Sequence, residues 1–240
     1  MRVHRAVTML AVLVSVMATP LSSQQPITPQ PPERVVINFL AGIDTNSVNM
    51  LLSVVNGQVR QGVKKITIVI SSPGGDTTAA FAAYNILRNS TAEITTFNAG
   101  NIDSAAVLIY CAGKYRYSFP EPARFLIHSN AMTLGVNVPL DYNFMNAQLQ
   151  QLVSLNQMVT QVLEATAKDK NKEIEQAVRS QTILTPEQAK EWGIVQDIRN
   201  TFMEPGAVLI SVDVPLREEK KPFEYTTLRP SISAGEPTHQ

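Results

Sequence analysis

The sequence predicts an α/β fold in which repeated β-α-β units build a parallel sheet. Short β-branched runs at residues 34–40 and 65–70 enclose the segment 46–61, whose apolar residues recur at helical spacing. Gly-rich turns at Gly74 and Gly100 then separate further runs of the same two kinds. Because parallel strands need a long crossover connection, usually a helix, this alternation favours a parallel sheet covered by helices.

The individual elements follow from hydrophobic periodicity and from the residues that start and stop helices. Gly62 ends the first helix, and Thr185, Pro186 and Gly193 are the N-cap, first residue and stop of the last one. We predict strands at residues 34–40, 65–70, 94–97, 124–127 and 207–214, helices at residues 46–61, 77–89, 105–112, 142–168 and 173–178, and a capped helix within residues 185–193.

The helix predicted at residues 142–168 is too long for a small domain to cover. Its apolar face carries Leu149, Leu152, Leu155, Val159, Val162 and Leu163. We therefore expect the helix to protrude and the chain to form a homo-oligomer.

Composition limits the size of the core and the class of partner. With 44% hydrophobic residues among 240, the chain suits one domain of ordinary core size with extensions. The 20 basic residues equal the 20 acidic ones, so no overall field attracts nucleic acid. We expect no nucleic-acid partner.

The N-terminus has the pattern of an export signal. Arg2 and Arg5 precede an apolar run at residues 6–18, and residues 19–25 are small and polar. We predict a signal peptide over residues 1–23 and an exported protein, periplasmic or secreted. An uncleaved membrane anchor is the alternative.

Three further segments follow the predicted signal. Residues 24–33 are rich in Pro and Gln, which is typical of a linker. The folded domain is expected at residues 34–200. Residues 201–240 form a C-terminal extension that we expect to be partly disordered.

Ser104 and His128 are the candidate catalytic pair, since acyl transfer by serine needs a hydroxyl and a base within reach. Ser104 stands before the apolar helix 105–112, which exposes its side chain at the carboxyl edge of the sheet; an N-cap serine is the alternative. His128 follows strand 124–127 and is the only imidazole of the predicted domain. We expect the two side chains within or near hydrogen-bond reach, whereas a hydrogen-bonded rim histidine is the alternative.

The Ser-Ser-Pro-Gly-Gly turn at residues 71–75 offers backbone N–H groups that no side chain obstructs. Such a turn suits an oxyanion site or a phosphate-binding nest, and Asp76 directly after it disfavours phosphate. We interpret Asp103 as a solvated turn residue and Cys111 as a buried structural thiol.

Together these motifs resemble the proteolytic subunit of the Clp protease over residues 35–198. The resemblance is carried by Ile70-Ser-Ser-Pro-Gly-Gly75, Gly100-Asn-Ile-Asp-Ser104 and Arg124-Phe-Leu-Ile-His128. It implies a Clp/crotonase-like fold with a long handle helix at residues 142–168, which interlocks facing rings of subunits.

The resemblance also implies roles for individual residues. Ser104 takes the position of the nucleophile and His128 that of its base. The N–H groups of Gly75 and Ala105 take the positions of oxyanion donors, and Gly74 lies in the turn that holds the substrate backbone. We expect no cofactor and no metal.

Gln181 stands where the family has its catalytic aspartate and is the candidate third member. An amide can orient an imidazole but cannot stabilise imidazolium by charge. Asp169, Glu173 and Glu175 are weaker candidates for the missing carboxylate. The pair Ile102-Asp103 also replaces residues that are usually small in the family, which is expected to narrow or charge the site.

The Clp proteolytic subunit works inside the cell with an ATP-driven unfolding ring, whereas an exported chain meets no ATP. We therefore predict an ATP-independent serine endopeptidase that cleaves peptides or unfolded segments, forms a homo-oligomeric ring and has no ATPase partner. The alternative, favoured by the lost aspartate, is a catalytically silent binding or assembly subunit. Acyl-CoA chemistry is disfavoured because an exported chain meets little CoA.

Overall fold

Eight strands form one sheet in the computed structural model, which describes residues 31–134, 138–168 and 174–212. The strands are β1 (Arg34–Phe39), β2 (Lys65–Ser72), β3 (Glu93–Asp103), β4 (Tyr115–Ser118), β5 (Arg124–Ile127), β6 (Thr182–Leu184), β7 (Asp197–Ile198) and β8 (Val208–Ser211). The helices of these residues are α1 (Thr45–Arg60), α2 (Thr77–Arg88), α3 (Ala106–Cys111), α4 (Tyr142–Thr166), α5 (Ile174–Ser180) and α6 (Pro186–Glu191).

Local chemistry sets the ends of the helices, largely as predicted. Asp44 caps α1 by accepting a hydrogen bond from the Ser47 N–H, and Gly62 follows the helix at φ +94°. Thr185 caps α6, and Pro186 is its first residue. Polar caps at the start and glycine after the end satisfy backbone groups that have no partner within a helix.

The central strand β3 changes its neighbour midway. In the strand order β6-β5-β3-β2-β1-β8, residues 95–98 of β3 pair with β4, whereas residues 101–103 pair with β5. The last residues of β3 therefore lie beside the strand that leads to His128.

The two faces of the sheet have different coverings. One hydrophobic cluster joins strand residues such as Ile37 and Ile68 to the apolar faces of α1, α2 and α3. A smaller cluster on Val36 and Val69 is covered in part by Phe202. Because successive strand residues point to opposite faces, these clusters lie on opposite sides of the sheet.

The structure confirms the α/β architecture with a long helix and corrects three details. Strand β3 runs to Asp103, so residues 100–103 are strand and not turn, and Ser104 is the first residue beyond it. The β5–β6 pairing is antiparallel, so the sheet is not wholly parallel. Strands β4, β6 and β7 were not predicted, because two to four residues are too few to show alternation.

Several predictions fall on residues that the structure does not describe. The signal peptide at residues 1–23, most of the linker and residues 213–240 of the extension lie outside the described ranges. Among the described residues, no helix combines the length and hydrophobicity needed to span a membrane.

Candidate active site

Ser104 lies at the junction of β3 and α3. Its N–H donates to Leu126 O at 2.8 Å, and its carbonyl accepts from the Val107 N–H at 3.0 Å. Between these bonds it adopts φ +57°, a conformation that costs a non-glycine residue about 1–3 kcal/mol. The N-cap of α3 is Ala105, which has no side-chain cap bond, so the Ser104 hydroxyl does not serve as a helix cap.

Gly74 allows the turn to approach Ser104 closely, and Gly75 allows it to approach Ile43. A Cβ on Gly74, at φ +86°, would lie 2.5 Å from Asp103 O and 2.6 Å from Ser104 Cβ. A Cβ on Gly75, at φ +145°, would lie 2.1 Å from Ile43 O. Both contacts are shorter than real Cβ atoms make, so the turn requires glycine at both positions.

The N–H groups of Gly75 and Ala105 are unpaired within the described part of the chain. Two backbone hydrogen bonds of 2.8 Å, one on either side of Gly75, tie the turn to Ile43 and leave the Gly75 N–H unused. A Cβ on Gly74 would lie 3.1 Å from Ala105 N, so this turn abuts the backbone on both sides of Ser104. Unpaired N–H donors beside a serine hydroxyl suit the stabilisation of an oxyanion.

Asp103 is buried, at 5% exposure, so its interpretation as a solvated turn residue is wrong. Because β3 extends further than predicted, its last residue lies inside the sheet. Oδ2 of Asp103 accepts from Arg124 Nη2 at 2.8 Å and from Asn101 Nδ2 at 3.1 Å. Oδ1 has no partner among the described residues. The carboxylate therefore links the strand that precedes Ser104 to the strand that precedes His128.

His128 is half-buried at the end of β5, and its ring contacts the backbone of the next residue. Nδ1 lies 2.6 Å from the carbonyl oxygen of Ser129. Because a carbonyl oxygen only accepts, this contact is a hydrogen bond when Nδ1 carries the proton. In the neutral Nδ1–H tautomer, Nε2 has the free lone pair that a general base needs.

Ser104 and His128 lie at neighbouring levels of the sheet. Asp103 pairs with Leu126, so Ser104 is level with Ile127, one residue before His128. No hydrogen bond joins the two side chains within the described residues. Hydrogen bonds of catalytic pairs are often long in ligand-free sites and tighten when substrate binds.

His128 directly follows β5, and Gln181 directly precedes β6. Ile127 and Thr182 form the last pair of this antiparallel ladder, so both residues lie just beyond the same end of it. Gln181 is exposed, at φ +54°, and its side chain forms no hydrogen bond to another described residue. The imidazole uses the Ser129 carbonyl, and a role for Gln181 as third member stays a prediction.

Of the three weaker candidates for the missing carboxylate, the structure describes only Glu175. Glu175 forms an ion pair with Arg179 at 2.6 Å on its own helix. Asp169 and Glu173 lie outside the described residues. Within the described ranges, no cluster of three or more His, Cys, Asp or Glu side chains is placed to hold a metal ion.

Cys111 ends helix α3 and is fully buried, in agreement with its interpretation as a structural thiol. Burial raises the pKa of this thiol to about 11, so it is protonated at neutral pH and a poor nucleophile. The neighbouring Tyr110 is also fully buried, and its hydroxyl donates to Tyr117 O at 3.0 Å. The helix that follows Ser104 is therefore part of the hydrophobic core.

The side chains that hold the loop after His128 were not predicted from the sequence. Asn130 lies in this loop and contacts Thr77 at the start of α2 and Asn156 in the middle of α4. A usable signal was present, because Asn156 is a polar residue between the apolar residues Leu155 and Val159 of the α4 face. Its partner is more than 20 residues away in sequence, so periodicity alone does not identify it.

Sequence comparisons agree with the fold and the motifs. Residues 33–201 match the family described as Clp protease. The chain is 35% identical over 142 residues to "ATP-dependent Clp protease proteolytic subunit 1" of Rhodococcus jostii, covering 56% of this chain and 60% of the relative. It is 32% identical over 138 residues to "ATP-dependent Clp protease proteolytic subunit 3" of Nocardia farcinica, covering 56% of this chain and 61% of the relative. The chain thus spans about three fifths of the length of these two curated relatives.

A solved structure shows the same fold. An asparagine-to-aspartate mutant of ClpP1 from Listeria monocytogenes has a TM-score of 0.61 at 19% sequence identity, covering 71% of this chain and 92% of that chain. This likeness confirms the Clp/crotonase-like fold with its handle helix. With residues 33–201 matching the family pattern on this fold, the chain belongs to the Clp protease family.

Proposed function

We propose that this chain is an ATP-independent serine endopeptidase that cleaves peptides or unfolded protein segments. The conformation of Ser104 is the observation that supports this most. The residue adopts φ +57° at the junction of a strand and a helix, with a hydroxyl that caps nothing. Unpaired N–H groups of Gly75 and Ala105 accompany it. A plain structural serine needs neither the strain nor the adjacent donors.

Each group has a defined part in the proposed reaction. Ser104 Oγ attacks the peptide carbonyl carbon while His128 Nε2 takes the hydroxyl proton. The developing oxyanion accepts hydrogen bonds from the N–H groups of Gly75 and Ala105. The protonated Nε2 then gives its proton to the leaving amine, and the acyl-enzyme forms. Water, activated by the same nitrogen, releases the acyl group and restores the Ser104 hydroxyl.

Independence of ATP rests on the exported location that the N-terminal pattern predicts. Outside the cytoplasm no ATP is available to drive an unfolding ring. Substrates are therefore restricted to peptides and unfolded segments. A C-terminally tagged full chain should be recovered outside the cytoplasm after cell fractionation. Recovery in the cytoplasm would contradict both the location and the reason for ATP independence.

The exposed part of α4 supports a homo-oligomeric ring. Tyr142, Met145, Leu149 and Val153 recur at spacings of three and four residues, and their exposure ranges from 47% to 82%. An apolar stripe of this kind is favourable only when another surface covers it. Light scattering at micromolar concentration should therefore give an oligomer, and Leu149→Asp should shift it toward monomer. A monomeric parent would contradict the proposal.

The decisive test of the chemistry is labelling with a fluorophosphonate probe. The parent chain should form a covalent adduct, and Ser104→Ala should form none. Ser53, an exposed serine of α1, supplies the matched control, so Ser53→Ala should label like the parent. Labelling that persists in Ser104→Ala would assign the nucleophile elsewhere.

A catalytically silent binding or assembly subunit is the second candidate. The replacement of the family's aspartate by Gln181 favours it, since the exposed amide makes no hydrogen bond to His128 within the described residues. A folded, oligomeric parent that takes up no probe and hydrolyses no peptide would support this alternative.

A further inference from the structure

The peptide group between Ser129 and Asn130 is held from both of its ends. Its carbonyl oxygen, on Ser129, accepts from His128 Nδ1 at 2.6 Å. Its N–H, on Asn130, donates to Asn156 Oδ1 at 2.7 Å. In a planar trans peptide these two groups point in opposite directions. A bond that fixes the N–H therefore also fixes the direction of the carbonyl.

Asn156 holds this peptide through a single acceptor atom. Oδ1 of Asn156 accepts from the Asn130 backbone N–H and, at 2.9 Å, from Asn130 Nδ2. The Asn130 side chain is held in turn by the Thr77 hydroxyl, which donates to its Oδ1. Thr77 begins α2, two residues after Gly75, so the loop is anchored to α4 and to the start of α2.

We propose that Asn156 is a positioning residue for His128, acting through the Ser129–Asn130 peptide; this inference rests on the proposed peptidase function. By directing the Ser129 carbonyl at Nδ1, it selects the tautomer in which Nε2 can accept the Ser104 proton. It thus takes over the orienting task of the family's aspartate, in a chain where Gln181 makes no bond to the imidazole.

Two physical effects make this arrangement effective. Hydrogen bonds in a chain polarise one another, so donation from the Asn130 N–H strengthens its peptide carbonyl as an acceptor. The peptide also has little freedom to rotate, because α4 and α2 hold the same residue from two sides. A carbonyl dipole stabilises imidazolium less than the full charge of a carboxylate does. The Ser129 carbonyl therefore orients the imidazole ring but leaves the reaction slow.

The test compares Asn156→Asp with Asn156→Leu, two side chains of similar size. Asp keeps an oxygen acceptor for both Asn130 donors, whereas Leu keeps none. The control is Asn146→Leu, which places the same apolar side chain at an exposed position of α4.

The first readout is the tautomer of His128, measured by NMR of the full chain labelled with ¹⁵N-histidine. The chain has three histidines, and the His128 signal is the one lost in His128→Gln. At a pH where the ring is neutral, the parent, Asn156→Asp and Asn146→Leu should show the Nδ1–H form. Asn156→Leu should show a mixture or the Nε2–H form.

The second readout is the hydrolysis of a fluorogenic peptide. Outer partners that fix a histidine tautomer typically contribute 10–100-fold. We expect kcat of Asn156→Leu to fall by about that factor with KM little changed, and Asn156→Asp to stay within a few-fold of the parent. A purely structural role would not produce a tautomer change that Asp rescues.

The failures of the two proposals are distinguishable. An Nε2–H parent, or an Asn156→Leu variant with unchanged tautomer and kcat, would overturn the positioning role. Absence of probe labelling and hydrolysis in every variant would overturn the peptidase function, while the tautomer comparison would still decide the positioning role. If Asn156→Leu fails to fold by circular dichroism, the parent's tautomer and Asn156→Ala decide instead.

Discussion

The two halves of the candidate site are built by different means. In the nucleophile half, segments of the main chain are in close contact with one another. This half comprises Gly74, Gly75, Ser104 and Ala105. Gly74 and Ala105 are buried, and helix α3 beneath them is part of the core. The base half, made of His128 and the loop that follows it, is partly exposed and held by hydrogen bonds between side chains and backbone.

The nucleophile half is therefore expected to be rigid, whereas the base half can adjust its hydrogen bonds. An oxyanion donor must be fixed before reaction, because its contribution depends on not having to reorganise. A general base must instead select a tautomer and accept a proton, and polar contacts from α4 can control both. We therefore expect changes in the nucleophile half to affect folding and catalysis together, and changes in the base half to affect catalysis first.

The largest effect is expected for Gly74→Ala. The added Cβ would lie 2.5 Å from Asp103 O, and the residue would be held at φ +86°. Turnover of a fluorogenic peptide should fall by at least the ~10²–10³ of a lost oxyanion donor. Urea unfolding should also show a loss of about 1–3 kcal/mol.

The control for that variant is Gly57→Ala in α1, where the added Cβ meets no atom within 4 Å. This change should stabilise the chain by about 0.5–1 kcal/mol, because alanine is the better helix former. A Gly74→Ala variant as active and as stable as Gly57→Ala would remove the distinction between the two halves.

Gln181→Asp in the base half is expected to raise turnover and to leave stability unchanged, unlike Gly74→Ala, which lowers both. A carboxylate beside His128 can stabilise the imidazolium that forms during reaction, and the reverse exchange in a serine protease costs about 10⁴ in turnover. Turnover at neutral pH should therefore rise, with 10⁴ as an upper limit, and the rise should vanish in Ser104→Ala. Unchanged turnover would indicate that the Ser129 carbonyl alone sets the state of His128.

Arg124→Met should weaken the connection between the halves. The change leaves the buried Asp103 carboxylate with Asn101 as its remaining described donor. Breaking a buried ion pair costs about 3–5 kcal/mol, but the Arg124 side chain is 45% exposed, so we expect about 1–3 kcal/mol in urea unfolding. Asp103→Asn added to Arg124→Met should recover part of this loss, and a double variant less stable than the single would contradict the account.

The smallest effect is expected at Cys111, which reports whether α3 is as tightly packed as the nucleophile half requires. Its pKa of about 11 and complete burial should prevent alkylation by iodoacetamide at neutral pH in the folded chain. Full alkylation should follow in denaturant. Rapid alkylation without denaturant would show that α3 opens readily and that the nucleophile half is not rigid.

The sequence by itself determined the α/β class and the glycine turn of the nucleophile half. Alternating apolar patterns predicted most strands and helices, and the short motif from Ile70 to Gly75 carried its own structural requirement, since only glycine fits the backbone contacts seen at its end. Such patterns extend over only a few neighbouring residues, so the local structure that they indicate can be predicted without knowledge of the fold.

Only the tertiary structure decided the base half and the environment of Asp103. Asp103 is buried and not solvated because β3 continues beyond its predicted end and gains β5 as a neighbour. The anchoring of the His128 loop depends on Asn156, which α4 brings to Asn130 from 26 residues away. Such polar contacts leave no periodic signal along the chain, because their energy depends on distances that exist only after the helices have packed on the sheet.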